Sequence, residues 1–249
     1  MSLHPLTIIP ARMASTRLPG KPLADIAGKP MIVQVLERAL EADIGPVIVA
    51  CAEQEIADAV VAAGGTAVLT RPDHASGSDR VHEALGLHAA PCDLVVNLQG
   101  DVPTIEPQTI RDLVATMAGA PAGVDIATLV AEIRNRDEID DPNVTKAVVA
   151  FEKGHDTARA LYFSRLPVPY GEGPHYHHIG VYAYRRAALE RFVTLPPSPL
   201  ERREKLEQLR ALEAGMTILA RRVDSVPLGV DTPAHLAEAR RIFSAKSEA

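Results

Sequence analysis

The sequence predicts an α/β protein built on a mostly parallel, mixed sheet flanked by helices, and three observations predict it. Short β-rich apolar runs alternate with amphipathic helical patterns through the first half of the chain. The middle then changes to strand-like runs separated by charged, turn-rich segments, which reads as an extension of that sheet over residues 125–185. With 249 residues, 47% of them hydrophobic and 23% charged, the chain can bury the core such a sheet needs, and we read 1–249 as a single α/β domain.

In order, Leu6 to Ile9 form the first buried strand, and Ile32, Val35, Leu36, Ala39 and Leu40 fall at helical spacing after it. Val47 to Ala50 is the next strand, followed by the helical set Ile56, Ala59, Val60 and Ala63. Ala67 to Leu69 and Leu94 to Leu98 complete the first group of buried strands, and Ile110, Leu113, Val114 and Met117 mark a further helix. Ile126 to Ala131 and Ala147 to Phe151 read as strands on either side of the turn-rich stretch Arg134 to Asn143. The Pro, Gly and His content of Leu166 to His178 predicts an irregular loop over a site, running into a strand at Gly180 to Tyr184. A helical run from Glu201 to Glu213, a strand at Ile218 to Val223 and a helix from Pro233 to Phe243 close the chain. Strand–helix alternation calls for right-handed crossovers, and such sheets bind ligands beyond the carboxyl ends of their strands.

Bulk charge narrows the function classes. A net charge of −6 gives no electrostatic footprint for nucleic acid, so an anionic substrate must be met by a local cluster of Lys and Arg. No run of about 18 apolar residues could span a bilayer, and Met1 to Pro5 lack the basic and apolar parts of a signal peptide, so a soluble cytoplasmic protein is expected. Cys51 and Cys92 have neither metal-ligand spacing nor a disulfide framework; both read as small buried hydrophobes.

The required cationic cluster follows the first strand directly, in Pro10-Ala11-Arg12-Met13-Ala14-Ser15-Thr16-Arg17-Leu18-Pro19-Gly20-Lys21-Pro22-Leu23. A triphosphate needs dispersed positive charge, which Arg12, Arg17 and Lys21 can supply while loop N–H groups approach its oxygens. The pattern is neither Walker A nor the dinucleotide glycine fingerprint, and the same residues suit a solvated loop with incidental ion pairs. Asp101 follows an apolar run and belongs at the carboxyl end of a strand, whereas Asp231 precedes Thr232-Pro233, a helix N-cap and first helical residue. Two converging carboxylates would suit a hard cation such as magnesium; each is equally readable as a turn or helix-start residue.

The loop string resembles the signature of sugar-nucleotide cytidylyltransferases, in the version found in bacterial 3-deoxy-manno-octulosonate cytidylyltransferases. Further segments are similar to that family's motifs, in its order: Gly28-Lys29-Pro30-Met31-Ile32, Ala75-Ser76-Gly77-Ser78-Asp79-Arg80, Asn97-Leu98-Gln99-Gly100-Asp101 and Leu161-Tyr162-Phe163-Ser164-Arg165. His178-Ile179-Gly180-Val181-Tyr182, Lys205-Leu206-Glu207-Gln208-Leu209-Arg210 and Gly229-Val230-Asp231-Thr232-Pro233 continue it, so nearly the whole chain is covered. The resemblance implies a Rossmann-type fold of the nucleotide-diphospho-sugar transferases and transfer of the cytidylyl group of CTP to the sugar, with release of pyrophosphate, for lipopolysaccharide assembly. It implies a homodimer, formed with the 125–185 region, which would also bind sugar. Arg12, Lys21, Asp101 and Asp231 would be catalytic, with Mg²⁺ on Asp101 and Asp231. Ala11, Arg12, Arg17, Lys21, Ser76, Arg80 and Gln99 would bind nucleotide; Gln99, Arg165, His178, Tyr182, Glu207 and Gln208 would bind the acidic sugar.

Two departures stand against the family pattern: Val102 where many relatives carry Glu, and Cys51-Ala52 where Thr-Asp is common. A sibling enzyme for another acidic sugar, such as the 8-amino analogue or sialic acid, is the nearest rival reading. A non-catalytic nucleotide-binding protein on the same fold is another, although it has no need for Arg12, Lys21, Asp101 and Asp231 together. A glycosyltransferase is disfavoured by the lack of a paired Asp-x-Asp motif at a strand end, and His175-Tyr176-His177-His178 lacks the spacing and Cys partners of a structural zinc site.

Overall fold

The structure is a computed structural model that describes residues 3–88 and 91–247; Met1 and Ser2, part of the stretch read for a targeting signal, lie outside them. The chain divides into two compact units, Leu3–Arg111 with Pro227–Ala249, and Asp112–Val226.

In the first unit, β1 (Pro5–Ala11), β4 (Val47–Cys51), β5 (Thr66–Leu69) and β6 (Leu94–Asn97) pair in parallel in the order β5-β4-β1-β6. The central strands are buried on both faces, which explains their unbroken apolar sequence, whereas β5, expected to be buried, is the edge strand and leaves Leu69 48% exposed. Between β1 and β4 lie a short hairpin, β2 (Asp25–Ile26) and β3 (Lys29–Pro30), and helix α1 (Met31–Glu41). The hairpin turns on Ala27 (φ 53°) and Gly28 (φ 80°), the left-handed pair that a two-residue turn requires. Helices α2 (Gln54–Ala62) and α3 (Gly77–Leu87) supply the next crossovers, and α4 (Pro107–Ala118) runs across the division between the units. The helical sets read from the sequence face inward, with exceptions at Leu40, which is 50% exposed, and at Ala63, which is also exposed.

The second unit holds β7 (Ile126–Glu132), β8 (Lys146–Val149), β9 (Thr157–Ser164), β10 (Tyr176–Arg185) and β11 (Ile218–Val223). Their order is β10-β7-β11-β9-β8, with β7 and β11 parallel and the other pairs antiparallel, so the mixed sheet expected here is present. Helices α5 (Asp137–Asp140), α6 (Arg186–Thr194), α7 (Pro199–Glu204) and α8 (Gln208–Glu213) decorate it. The single helical run expected over Glu201 to Glu213 is two helices. Lys205 caps α7 in the left-handed region at φ 56°, which breaks the i→i+4 ladder. Three elements of this unit were not read from the sequence: β9, whose inward alternation is interrupted by a register shift at Val148/Val149 on its partner, α6, and α5, which falls in the stretch expected to be turn-rich. The expected loop before β10 ends at His175, since the strand starts at Tyr176.

The chain returns to the first unit as α9 (Pro233–Ser247). Ile26, Met31, Val230, Leu236 and Ala239 form one buried cluster there, with Leu18, Ala24, Leu228 and Phe243 against it. That cluster fixes the segment after the cationic loop and the segment carrying Asp231 to the same core. Cys51 is buried as expected, and burial pushes its thiol up to about 12, whereas Cys92 is only half-buried.

Candidate active site

At the carboxyl ends of β1 and β6 the first unit opens into a cleft of about 390 Å³, within the size range of small-ligand sites. Every residue expected to bind nucleotide or metal lines it: Ala11, Arg12, Arg17, Lys21, Ser76, Arg80, Gln99, Asp101 and Asp231. The arrangement begins where β1 ends. Gly20, at φ 67°, turns the loop into a single 3₁₀ turn over Lys21–Leu23, held by Lys21 N–H to the Leu18 carbonyl at 3.1 Å and Leu23 N–H to Gly20 at 2.9 Å. Pro22 is buried within that turn, so Lys21 leaves from a fixed base.

The Lys21 ammonium donates to both carboxylates, at 2.7 Å to Asp101 Oδ2 and 2.9 Å to Asp231 Oδ1. Arg17 Nη2 lies 3.0 Å from Asp231 Oδ2. Burial works against the charges of Lys21 and Asp231, but the attraction and hydrogen bonds of Lys21 to Asp101 first and Asp231 second, and of Asp231 to Lys21 and Arg17, outweigh it. The ammonium is held above its ordinary range and the Asp231 carboxyl below its own. The two carboxylates converge because Val230 N–H donates to the Asp101 carbonyl at 2.8 Å and Leu228 N–H to Thr104 Oγ1 at 2.8 Å. Thr232 Oγ1 accepts from His235 N–H at 3.2 Å, the N-cap bond expected at the start of α9. Gly100 precedes Asp101 at a close approach. A Cβ there would lie 2.9 Å from the Pro10 carbonyl oxygen and 3.2 Å from Ile32.

The opposite wall is the start of α3. Ser76 and Asp79 form a capping box, Asp79 N–H donating to Ser76 Oγ at 3.1 Å and Ser76 N–H to the Asp79 carboxylate at 3.2 Å. The Ser76 hydroxyl also donates to that carboxylate at 2.9 Å, so its side chain serves the helix start. Arg80 is buried, and its guanidinium donates to Thr70 Oγ1 at 2.6 Å and to the carbonyls of Arg71 at 3.0 Å and Pro72 at 3.3 Å. It therefore ties α3 to the end of β5 as it lines the cleft; burial lowers its pKa. Gln99 Nε2 donates to Asn97 Oδ1 at 3.0 Å.

One positioning residue was missed in the sequence. Glu53 Oε2 accepts the backbone N–H of Met13 at 2.9 Å, anchoring the cationic loop across 40 residues. The available signal was its place directly after β4, at the same end as the other site residues. Of the two departures, Ala52 N–H donates to the Ala11 carbonyl at 3.0 Å, and Val102 is buried.

The other expected sugar residues belong to the second unit. His178, Tyr182 and Gln208 adjoin one another: the His178 and Tyr182 rings are 5.6 Å apart, and Gln208 Nε2 lies 3.5 Å from His178 Nδ1. The other ring nitrogen donates to Thr128 Oγ1 at 3.0 Å, and the Thr128 hydroxyl donates to the Val181 carbonyl at 2.9 Å. Burial pushes His178 down to about 3, so the ring is neutral, and burial likewise raises the Tyr182 hydroxyl. A register irregularity in β10 between Ile179 and Tyr182 re-aims this stretch. Glu207, expected in a helix, precedes α8 and lies 3.9 Å from Arg210. Arg165 is held by backbone carbonyls. Its guanidinium donates to the carbonyls of Pro142 at 2.9 Å, Glu204 at 2.9 Å and Lys205 at 3.4 Å. Beneath it, the fully buried Lys146 ammonium donates to the carbonyls of Val144 at 2.6 Å, Arg165 at 2.7 Å and Asp141 at 2.8 Å, a support with no signal in the local pattern.

The family model described as cytidylyltransferase matches residues 6–218. A 3-deoxy-manno-octulosonate cytidylyltransferase of Rhodospirillum centenum is 60% identical, over 99% of this chain and 96% of its own, and one of a Bradyrhizobium species is 64% identical, over 96% and 97%. The chain belongs to the 3-deoxy-manno-octulosonate cytidylyltransferase family. It is thus a nucleotidyltransferase, as the resemblance implied. A solved CMP:2-keto-3-deoxy-manno-octonic acid synthetase in complex with CTP superposes with a TM-score of 0.90 at 42% identity, covering 98% of this chain and 99% of that one. A 4-diphosphocytidyl-2C-methyl-D-erythritol synthase from Anaerococcus prevotii, at TM-score 0.66 and 10% identity over 98% of this chain and 100% of its own, shares the fold alone.

Proposed function

We propose that this cytidylyltransferase transfers CMP from CTP to 3-deoxy-manno-octulosonate. The anomeric hydroxyl of the sugar attacks the α-phosphorus in line, a sugar O–P bond forms, the bond to the β-phosphate breaks, and pyrophosphate leaves. The observation that carries this reading is one cleft holding the loop cations and two convergent carboxylates in a chain 60% identical to a relative of that name. Arg12, Arg17 and Lys21 bind the phosphates, and the start of α3 adds backbone N–H groups and a favourable dipole. Catalysis here rests on positioning and charge, with no covalent enzyme intermediate.

The donor set fits magnesium: two hard carboxylate oxygens already reach one shared point, where Lys21 Nζ sits, and substrate phosphates and water complete such sites. When bound, the ion draws charge from the α-phosphate and the departing pyrophosphate. By family reading, Arg165, His178, Tyr182, Glu207 and Gln208 contact the sugar, the chain acts as a homodimer in the cytoplasm, where CTP is made, and its product feeds lipopolysaccharide assembly.

The test is pyrophosphate release with Mg²⁺ and CTP across 3-deoxy-manno-octulosonate, its 8-amino analogue and sialic acid, with UTP and ATP as controls. Turnover confined to CTP and the octulosonate is expected; preference for another sugar would transfer the reading to a sibling enzyme. Asp101→Asn and Asp231→Asn should each reduce kcat at least a hundredfold, and full activity in either removes the metal assignment.

A further inference from the structure

The ammonium of Lys21 stands where a cation bridging Asp101 and Asp231 would stand, bonded to both at 2.7 and 2.9 Å. Its side chain is 16% exposed, against 30% for Asp101 and 41% for Asp231, so it is the most enclosed member of the three. Arg17 neutralises the remaining Asp231 oxygen at 3.0 Å. Two carboxylates are thus matched by two cations. A free divalent ion approaching this set meets no net negative charge and must also expel a half-buried ammonium from two short bonds. A triphosphate changes that balance, because its oxygens compete for the same ammonium and guanidinium and leave the carboxylates unpaired.

We infer that Lys21 is a removable plug in the cation site: the free chain excludes the divalent ion, and a nucleoside triphosphate admits it by drawing the ammonium onto its phosphates. The inference rests on the assignment of Asp101 and Asp231 as metal-binding carboxylates. Nucleotide and cation then bind with positive coupling, and the coupling is reciprocal. Lys21 has two stations, one on the carboxylates and one on the substrate.

The experiment follows Mn²⁺, an oxygen-seeking stand-in for magnesium, by electron paramagnetic resonance on the whole chain, with and without a non-cleavable CTP analogue. Without nucleotide, Lys21→Met should bind Mn²⁺ at least tenfold more tightly than the unaltered chain, and adding Asp101→Asn to it should abolish the gain. The analogue should raise Mn²⁺ affinity at least tenfold in the unaltered chain, beyond the metal held by analogue alone, and by less in Lys21→Met. If the unaltered chain without nucleotide already binds Mn²⁺ as tightly as a normally melting Lys21→Met, or if the gain survives loss of Asp101, the plug is disproved. Failure of turnover on every sugar with these binding results intact would instead remove the substrate reading and leave the plug standing.

Discussion

Single side chains here act mostly by fixing backbone. Glu53 holds the Met13 N–H at 2.9 Å, and a lost hydrogen bond of this charge-assisted kind costs about 1.5–3 kcal/mol. Glu53→Gln keeps an acceptor and Glu53→Ala does not, so CTP should bind about tenfold more weakly to the alanine variant than to the glutamine one in calorimetry. Equal affinities would show that the loop is held without Glu53. His178 gives a second handle. Its folded value of about 3 lies below the ordinary 6.5, so an unfolded chain takes up a proton that the folded chain refuses. The stability this group contributes is complete above about pH 6.5 and is lost as pH falls toward about 3. Unfolding free energy should drop with acid by about 1.4 kcal/mol per pH unit less steeply in His178→Gln than in the unaltered chain, in urea titrations from about pH 6 to about pH 4.5. An unchanged slope would mean that His178 titrates normally in the fold. Neither role was legible in the sequence, because Glu53 reads as a helix-start acid and His178 as one of three nearby histidines.

At the level of elements, the first unit was largely readable and the second less so, for a physical reason. Parallel strands buried on both faces, β1, β4 and β6 among them, write themselves as unbroken apolar runs. The antiparallel strand β9 alternates imperfectly, with Leu161 left 57% exposed, and its register slips against β8, so neither period is clean. The break between α7 and α8 was hidden because Lys205, not glycine, takes the left-handed position. The β2–β3 turn makes the same compromise with Ala27 at φ 53°. An alanine in that region costs about 1–2 kcal/mol, which asparagine largely avoids, and Asn-Gly is the favoured pair for such a turn. Ala27→Asn is exposed and should raise the melting temperature by about 2–4 °C; no change would mean that the turn carries no strain.

Across the whole chain, the site depends on a pairing that no local pattern encodes. Lys21 and Asp231 are 210 residues apart, and the sequence offered each as a candidate without showing that they share a hydrogen bond. The buried cluster of Ile26, Met31, Val230, Leu236 and Ala239 makes that pairing, because it seats the turn after the cationic loop and the start of α9 in one apolar core. Leu236 is absent from the cleft lining, yet it is 8% exposed and packs inside that cluster. Leu236→Ala should cost about 2–5 kcal/mol in urea unfolding. Because the cavity loosens the base of Asp231, the Mg²⁺ concentration for half-maximal turnover should also rise severalfold at temperatures where the variant remains folded. A stability loss with an unchanged magnesium requirement would separate the two, making the cluster a stabiliser of the unit and leaving the hydrogen bonds of Val230 and Leu228 to Asp101 and Thr104 as the means by which the second carboxylate is placed.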